Sequence, residues 1–196
     1  MVDTLHIEGN KLLDQYGRSR ILRGANIMDW EWKYSWRQSP VHELNSIPVL
    51  CGKPADGGWG ANLVQFGVHS GPINRGEEKY MSGLHALANK CADYDTYILF
   101  SYRAQEPNGT ISTGVDAAAA FAMETLATHM ITRTNVLYGC AVEPHDITWS
   151  MLRPQLERCA DAIWRADPAA VVFVTGTNWG RYVHHALTDP VQRSGI

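Results

Sequence analysis

The stretch Thr96-Tyr-Ile-Leu-Phe-Ser-Tyr102 is apolar almost from end to end. A strand with one wet face alternates apolar and polar residues, whereas a strand covered on both faces has no need to. This run therefore reads as a buried strand of a parallel sheet. Four similar runs flank it, at 21–27, 61–68 (ANLVQFGV), 135–142 (NVLYGCAV) and 170–175 (AVVFVT). Between them the apolar spacing becomes helical. Residues 77–91 place Tyr80, Leu84, Leu87 and Cys91 on one face, and 116–130 turn Phe121, Leu126 and Met130 towards a core. Residues 149–166 carry Leu152, Leu156, Cys159 and Ile163 and stop at Asp167-Pro168. Strand–helix alternation at this spacing builds parallel βαβ units. A hairpin over about 5–22 is expected before them, its arms 5–13 and 19–22 joined by the turn Asp14-Gln-Tyr-Gly17. Residues 29–58 read as one long loop holding Trp30, Trp32 and Trp36, and a loop of that length is usually functional.

Two α/β architectures compete: an open doubly wound sheet and a (β/α)8 barrel. The first wants a phosphate-cradling glycine pattern after its opening strand, but Arg23-Gly24-Ala25-Asn26 stands there, and no G-x-x-x-x-G-K-[ST] occurs. The barrel is the expected fold, with residues 1–196 as one partial domain. A full barrel takes about 250 residues and eight strands, and only five are read here. Such a remnant exposes backbone groups on its first and fifth strands, so a homo-oligomer covering those edges is expected.

Composition narrows the function classes. Of 196 residues 45% are hydrophobic, and 17 basic side chains stand against 20 acidic ones, for a net charge of -3. That balance carries no electrostatic footprint for nucleic acid or an anionic membrane. No run approaches the roughly 18 apolar residues of a membrane span, and no signal peptide is present as written. The four cysteines contain no C-x-x-C. Cys91, Cys140 and Cys159 sit in apolar runs and are expected to pack as small hydrophobes, while Cys51 beside Gly52 is the one expected to be exposed. His184-His185 lack a carboxylate at ligand spacing and adjacent side chains point apart, so no metal is expected. Ser70 lacks the glycine frame of a hydrolase elbow. No cofactor motif is present.

In parallel α/β folds chemistry gathers where strands end. The residues there are Asn26, Asp29 and Trp30; Gln65 and His69; Tyr102, Arg103, Gln105 and Glu106; Glu143 and His145; and Thr177, Asn178 and Trp179. Amides and carboxylates with indoles suit a sugar, whose hydroxyls take paired hydrogen bonds and whose C–H faces stack on indole. Glu143, followed by Pro144, is a rigidly held carboxylate suited to protonating a glycosidic oxygen from a semi-apolar setting.

Ile21-Leu-Arg-Gly-Ala-Asn26, Gly60-Ala-Asn-Leu-Val64, Tyr97-Ile-Leu99, Asn135-Val-Leu-Tyr-Gly139, Glu143-Pro144 and Gly176-Thr-Asn-Trp179 follow one another in an order that resembles the landmarks of family 5 glycoside hydrolases, the cellulase-type (β/α)8 enzymes. The resemblance implies hydrolysis of β-linked glucan or mannan, secretion, an oligo- or polysaccharide partner, and Glu143 as general acid/base. It implies sugar contacts at Asn26, Trp30, Gln65, His69, Tyr102, His145 and Trp179. Departures accompany it: Val142 replaces the family's Asn before the acid/base, Gln65 replaces an Arg, and Phe100-Ser-Tyr102 replaces Asp-x-His. The family's nucleophile lies on a seventh strand, so its carboxylate is expected from outside this chain, with Glu106 the local candidate. The alternative is a catalytically inactive carbohydrate-binding relative.

Overall fold

A computed structural model of the chain describes residues 2–27, 41–103 and 114–192. The expectations placed on Asp29, Trp30, Trp32, Trp36, Gln105 and Glu106 lie outside the described residues.

The chain opens with β1 (Leu5–Glu8) and β2 (Lys11–Asp14), paired antiparallel with Leu5 opposite Asp14. This corrects the expected hairpin. Its turn is Gly9-Asn10, with Gly9 at φ +59°, and the segment after 17 adds one bridge, Leu13 to Ser19. A glycine followed by asparagine is the stronger turn signal because glycine enters the left-handed region at no steric cost.

The second turn is built on Asp14, whose side chain has no accessible surface. Its carboxylate accepts the N–H groups of Tyr16 at 2.9 Å and Arg18 at 3.0 Å, and pairs with Arg18 Nε at 2.7 Å and Arg20 Nε at 3.0 Å. Burial alone would push this carboxyl up. The Arg18 N–H and guanidinium and the Tyr16 N–H outweigh it and hold the group at about 2, below its ordinary 3.8. The folded state thus favours the charged form. Its contribution to stability is complete above pH 3.8 and is lost as pH falls towards 2. Thermal melts of wild type and Asp14→Asn should show the variant lower by several degrees at pH 7, the two converging as pH falls through that window. A gap that stays constant down to pH 2 would refute this.

The main sheet contains β3 (Gly24–Ile27), β4 (Leu63–Val68), β5 (Tyr97–Tyr102), β6 (Val136–Gly139) and β7 (Val172–Phe173), in that spatial order. The pairs β3–β4 and β6–β7 are parallel. Each new strand adds beside the last, so the chain winds always in one direction. A doubly wound sheet reverses its order near the middle; this one does not.

The described residues fall into two compact units. The first comprises 1–67, 78–100 and 132–137. Here α1 (Val41–Cys51) packs on α3 (Glu78–Ala92) and on β3. Its core includes Ile47, Val64, Phe66, Tyr80, Leu84, Leu87 and Ile98. Helix α1 corrects the expected long loop. Pro48 inside it reads as a breaker, but Ile47, Leu50 and Cys51 are buried at helical spacing, and that packing overrides propensity. Cys51, expected to be exposed, is buried at the end of α1. Strand β3 starts later than expected because the Asn62 side chain takes over the backbone before it: Arg23 N–H donates to Asn62 Oδ1 at 2.7 Å, and Asn62 Nδ2 donates to the Ile21 carbonyl at 2.9 Å.

The second unit comprises 68–77, 101–131 and 138–196. It holds α2 (Ser70–Asn74), α4 (Ala117–Met130) and α5 (Trp149–Ala166), with α4 packed against α5 and α2. Asp116 caps α4, accepting the Ala119 N–H at 2.7 Å. Ala119, Met123, Leu126, Ala127 and Met130 form its buried face, and Phe121, expected in the core, is exposed. The reason is angular: at about 100° per residue Phe121 stands roughly 140° from Leu126 and 180° from Met130. Alanines let this helix lie close to its neighbours, and its one large aromatic stays outside.

Candidate active site

The candidate residues divide between the two units. In the first, Asn26 on β3 and Gln65 on β4 are register partners, so these two amides stand side by side at one level of the sheet. Asn26 is exposed and Gln65 half-buried. Leu63 O would lie 1.7 Å from any Cβ at Gly24, so only glycine lets these strands meet there.

In the second unit, Arg103 N–H donates to the Val68 carbonyl at 2.9 Å, which sets the ends of β4 and β5 against each other. His69, just beyond β4, precedes α2 and is half-buried, while Tyr102 at the end of β5 is 3% exposed. One residue earlier, Ser101 fills the space where a side chain on Gly139 would stand, its Oγ 2.2 Å from that Cβ position.

Beyond β6 the backbone is strained. Glu143 and Asp146 both adopt φ +52°, and Asn178 and Trp179 after β7 adopt φ +52° and +63°. Left-handed backbone costs a non-glycine residue on the order of 1 kcal/mol or more and persists only where surrounding structure holds it. The holding contacts are present. The Trp179 N–H donates to the Pro144 carbonyl at 2.9 Å. The His145 ring stacks on the Trp179 indole with centroids 4.0 Å apart and planes 18° from parallel. His145 Nδ1 lies 2.8 Å from Asp146 Oδ2, and since a carboxylate only accepts, Nδ1 carries the proton. The Nε2 of this buried ring has no hydrogen-bond partner among the described residues.

The Trp179 loop is itself tightly built. Bridges join Gly176 to Gly180 and Thr177 to Tyr182, and a Cβ on Gly176 would come within 2.3 Å of the Tyr182 carbonyl oxygen. Two successive left-handed residues then turn the indole onto His145 and leave it 48% exposed. Glu143 is exposed as well, so the semi-apolar wall expected around it is not supplied by the described residues. The structure thus ties Glu143, Pro144, His145 and Trp179 into one assembly. Sequence reading missed Asp146, which orients His145. Its only sequence signal was adjacency to that histidine.

His184 and His185 do not point apart, as expected. Their rings lie 4.3 Å from centroid to centroid in a short 3-10 turn, and His185 also faces Trp149 at 6.3 Å. Among the described residues no group of three or more His, Cys, Asp or Glu side chains is placed to hold a metal ion. Nor, among them, is any helix long and apolar enough to cross a membrane.

Comparison with known proteins fits this geometry. The family model for cellulase, glycosyl hydrolase family 5, matches residues 57–195. Endoglucanase CelA of Streptomyces lividans is 25% identical over 98% of this chain and 41% of its own length, and endoglucanase E-5 of Thermobifida fusca is 23% identical over 87% and 34%. The chain therefore spans about two fifths of these relatives or less. Among solved structures, the β-glucanase SdGluc5_26A of Saccharophagus degradans superposes with a TM-score of 0.76 at 19% identity, covering all of this chain and 60% of that one. The catalytic domain of the Thermobifida fusca endoglucanase Cel5A gives a TM-score of 0.70 over 98% of this chain and 62% of that one. The fold is the (β/α)8 type, of which this chain carries about the first five β/α units, and the chain belongs to glycosyl hydrolase family 5, the cellulases.

Proposed function

We propose that this chain carries the acid/base half of a glycosidase site acting on β-linked glucan or mannan. The observation that supports this best is the Glu143 assembly: an exposed carboxylate on strained backbone, followed by a buried proline whose carbonyl holds the exposed Trp179 platform. The relatives named above are endoglucanases and β-glucanases, and one SdGluc5_26A structure is a complex with cellotetraose. In the first step, protonated Glu143 gives its proton to the glycosidic oxygen while a carboxylate outside residues 1–196 attacks the anomeric carbon. In the second, the Glu143 carboxylate takes a proton from water, which attacks that carbon and releases the sugar. Trp179 stacks a pyranose face, and Asn26, Gln65, His69, Tyr102 and His145, with Trp30, supply further contacts. Glu106 is the competing nucleophile, and Glu106→Gln retaining full hydrolysis removes it.

The test is cleavage of β-glucan, β-mannan and starch by the purified chain with added azide, a small nucleophile that stands in for the outside carboxylate, read by product chromatography, with oligosaccharide binding followed by calorimetry. Azide-dependent cleavage of a β-linked polymer, lost in Glu143→Gln and not seen with starch, supports the reading. Oligosaccharide binding with no cleavage, with or without azide, overturns it in favour of a sugar-binding relative that has lost its chemistry.

A further inference from the structure

Four cysteines widely separated in sequence occupy two neighbourhoods. In the first unit, Cys51 at the end of α1 and Cys91 on α3 are both buried, the two thiols neighbours of each other. In the second unit, Cys140 is the first residue beyond β6 and Cys159 lies midway along α5. The Cys159 thiol lies against the Cys140 carbonyl oxygen at 4.0 Å, and neither residue has accessible surface, so the two cysteines share one buried neighbourhood. Cys140 is further fixed by its N–H, which donates to the Phe173 carbonyl at 3.0 Å.

We propose that Cys140 and Cys159 are a disulfide-forming pair, which on oxidation fastens the exit of β6, three residues before Glu143, to α5. The oxidant is a low-molecular-weight disulfide such as oxidised glutathione. One cysteine thiolate attacks a sulfur of that disulfide and expels a glutathione thiolate, leaving a mixed disulfide. The second cysteine, deprotonated in turn, attacks the first cysteine's sulfur and expels the other glutathione. Two S–H bonds are lost, one S–S bond forms, and the oxidised glutathione leaves as two reduced molecules. In the folded chain both cysteines are fully buried, out of reach of a dissolved disulfide, and the neighbouring Cys159 thiol and burial push the Cys140 thiol well up. The exchange therefore belongs to the open chain during folding, and the folded dithiol resists it.

The test refolds reduced, urea-unfolded chain in a glutathione redox couple, alkylates remaining thiols and analyses the product by intact mass and non-reducing peptide mapping. A product lighter by two hydrogens is expected, with one cross-linked peptide joining residues 140 and 159. Its Tm should exceed that of dithiothreitol-refolded chain by roughly 5–10 °C. Already folded, reduced chain given the same couple should stay unoxidised over the same period. Cys159→Ser should abolish the mass loss, whereas the Cys51→Ser/Cys91→Ser double variant should keep it. Because a buried serine can impair folding, the wild-type peptide map decides alone. Four alkylated cysteines in a product with native circular dichroism, or a cross-link between any other two, overturns the proposal.

Discussion

Replacing Glu143 with glutamine is expected to lower turnover of any β-linked glucan this chain hydrolyses by about 10²–10⁴-fold, while oligosaccharide affinity stays within about twofold. The amide is nearly isosteric and accepts the hydrogen bonds that position the side chain, but it neither gives nor takes a proton. On the proposed reading the exposed Trp179 face, not Glu143, carries binding, so the loss should fall on kcat and leave KM nearly unchanged. A substrate whose leaving group needs no proton, such as a dinitrophenyl glycoside, should recover most of the loss in the first step. Glu143→Gln at wild-type turnover on an ordinary glucan would remove this residue from the chemistry. The left-handed backbone at Glu143 sharpens the test. Glu143→Gly should relieve strain and raise Tm while abolishing the same activity, a separation that a purely structural carboxylate would not show.

The largest stability effect is expected at Gly139. Ser101 stands across from it, its Oγ 2.2 Å, its Cβ 2.9 Å and its Cα 3.2 Å from where a Cβ at 139 would lie. The Oγ can rotate about χ1, but the Cβ and Cα of this buried strand residue are fixed by the backbone, so the crowding is relieved only in part. Gly139→Ala should destabilise by about 1–3 kcal/mol, as overpacking of a dense core does, and Gly139→Val by more. Urea unfolding measures this directly. In a double-mutant cycle, Ser101→Gly should recover part of the cost of Gly139→Ala because it removes the two nearest atoms. Wild-type stability for Gly139→Ala would mean that these two strand ends are looser than described. Activity should fall with stability, because Gly139 is the last residue of the strand that leads to Glu143.

The amino-acid sequence by itself determined the parallel sheet, its five strands and helices α3, α4 and α5, and it singled out Glu143 as the proposed acid/base. These follow from short-range patterns. Continuous apolar runs mark strands covered on both faces, and helical spacing marks α5 to the residue. The Glu143-Pro144 step after a strand is a local signature that needs no contact to be read. Where only the chain's own neighbours decide, local reading failed. The Gly9 turn joins the paired strands β1 and β2 ahead of the expected Asp14 turn, Pro48 was absorbed into α1, and Cys51 and Phe121 exchanged the environments expected of them. Each of those outcomes depends on what lies opposite in space, and apolar character alone does not say which face meets a partner. The same holds for the site. His145 and Trp179 are 34 positions apart, and nothing in either segment announces that the ring of one lies flat on the other. The approach of the Cys159 thiol to the Cys140 carbonyl, and the placement of Ser101 in the space beside Gly139, are likewise facts of packing. Only the tertiary structure sets which side chains share a few ångströms of space, and it is there that the strained backbone around Glu143 is held.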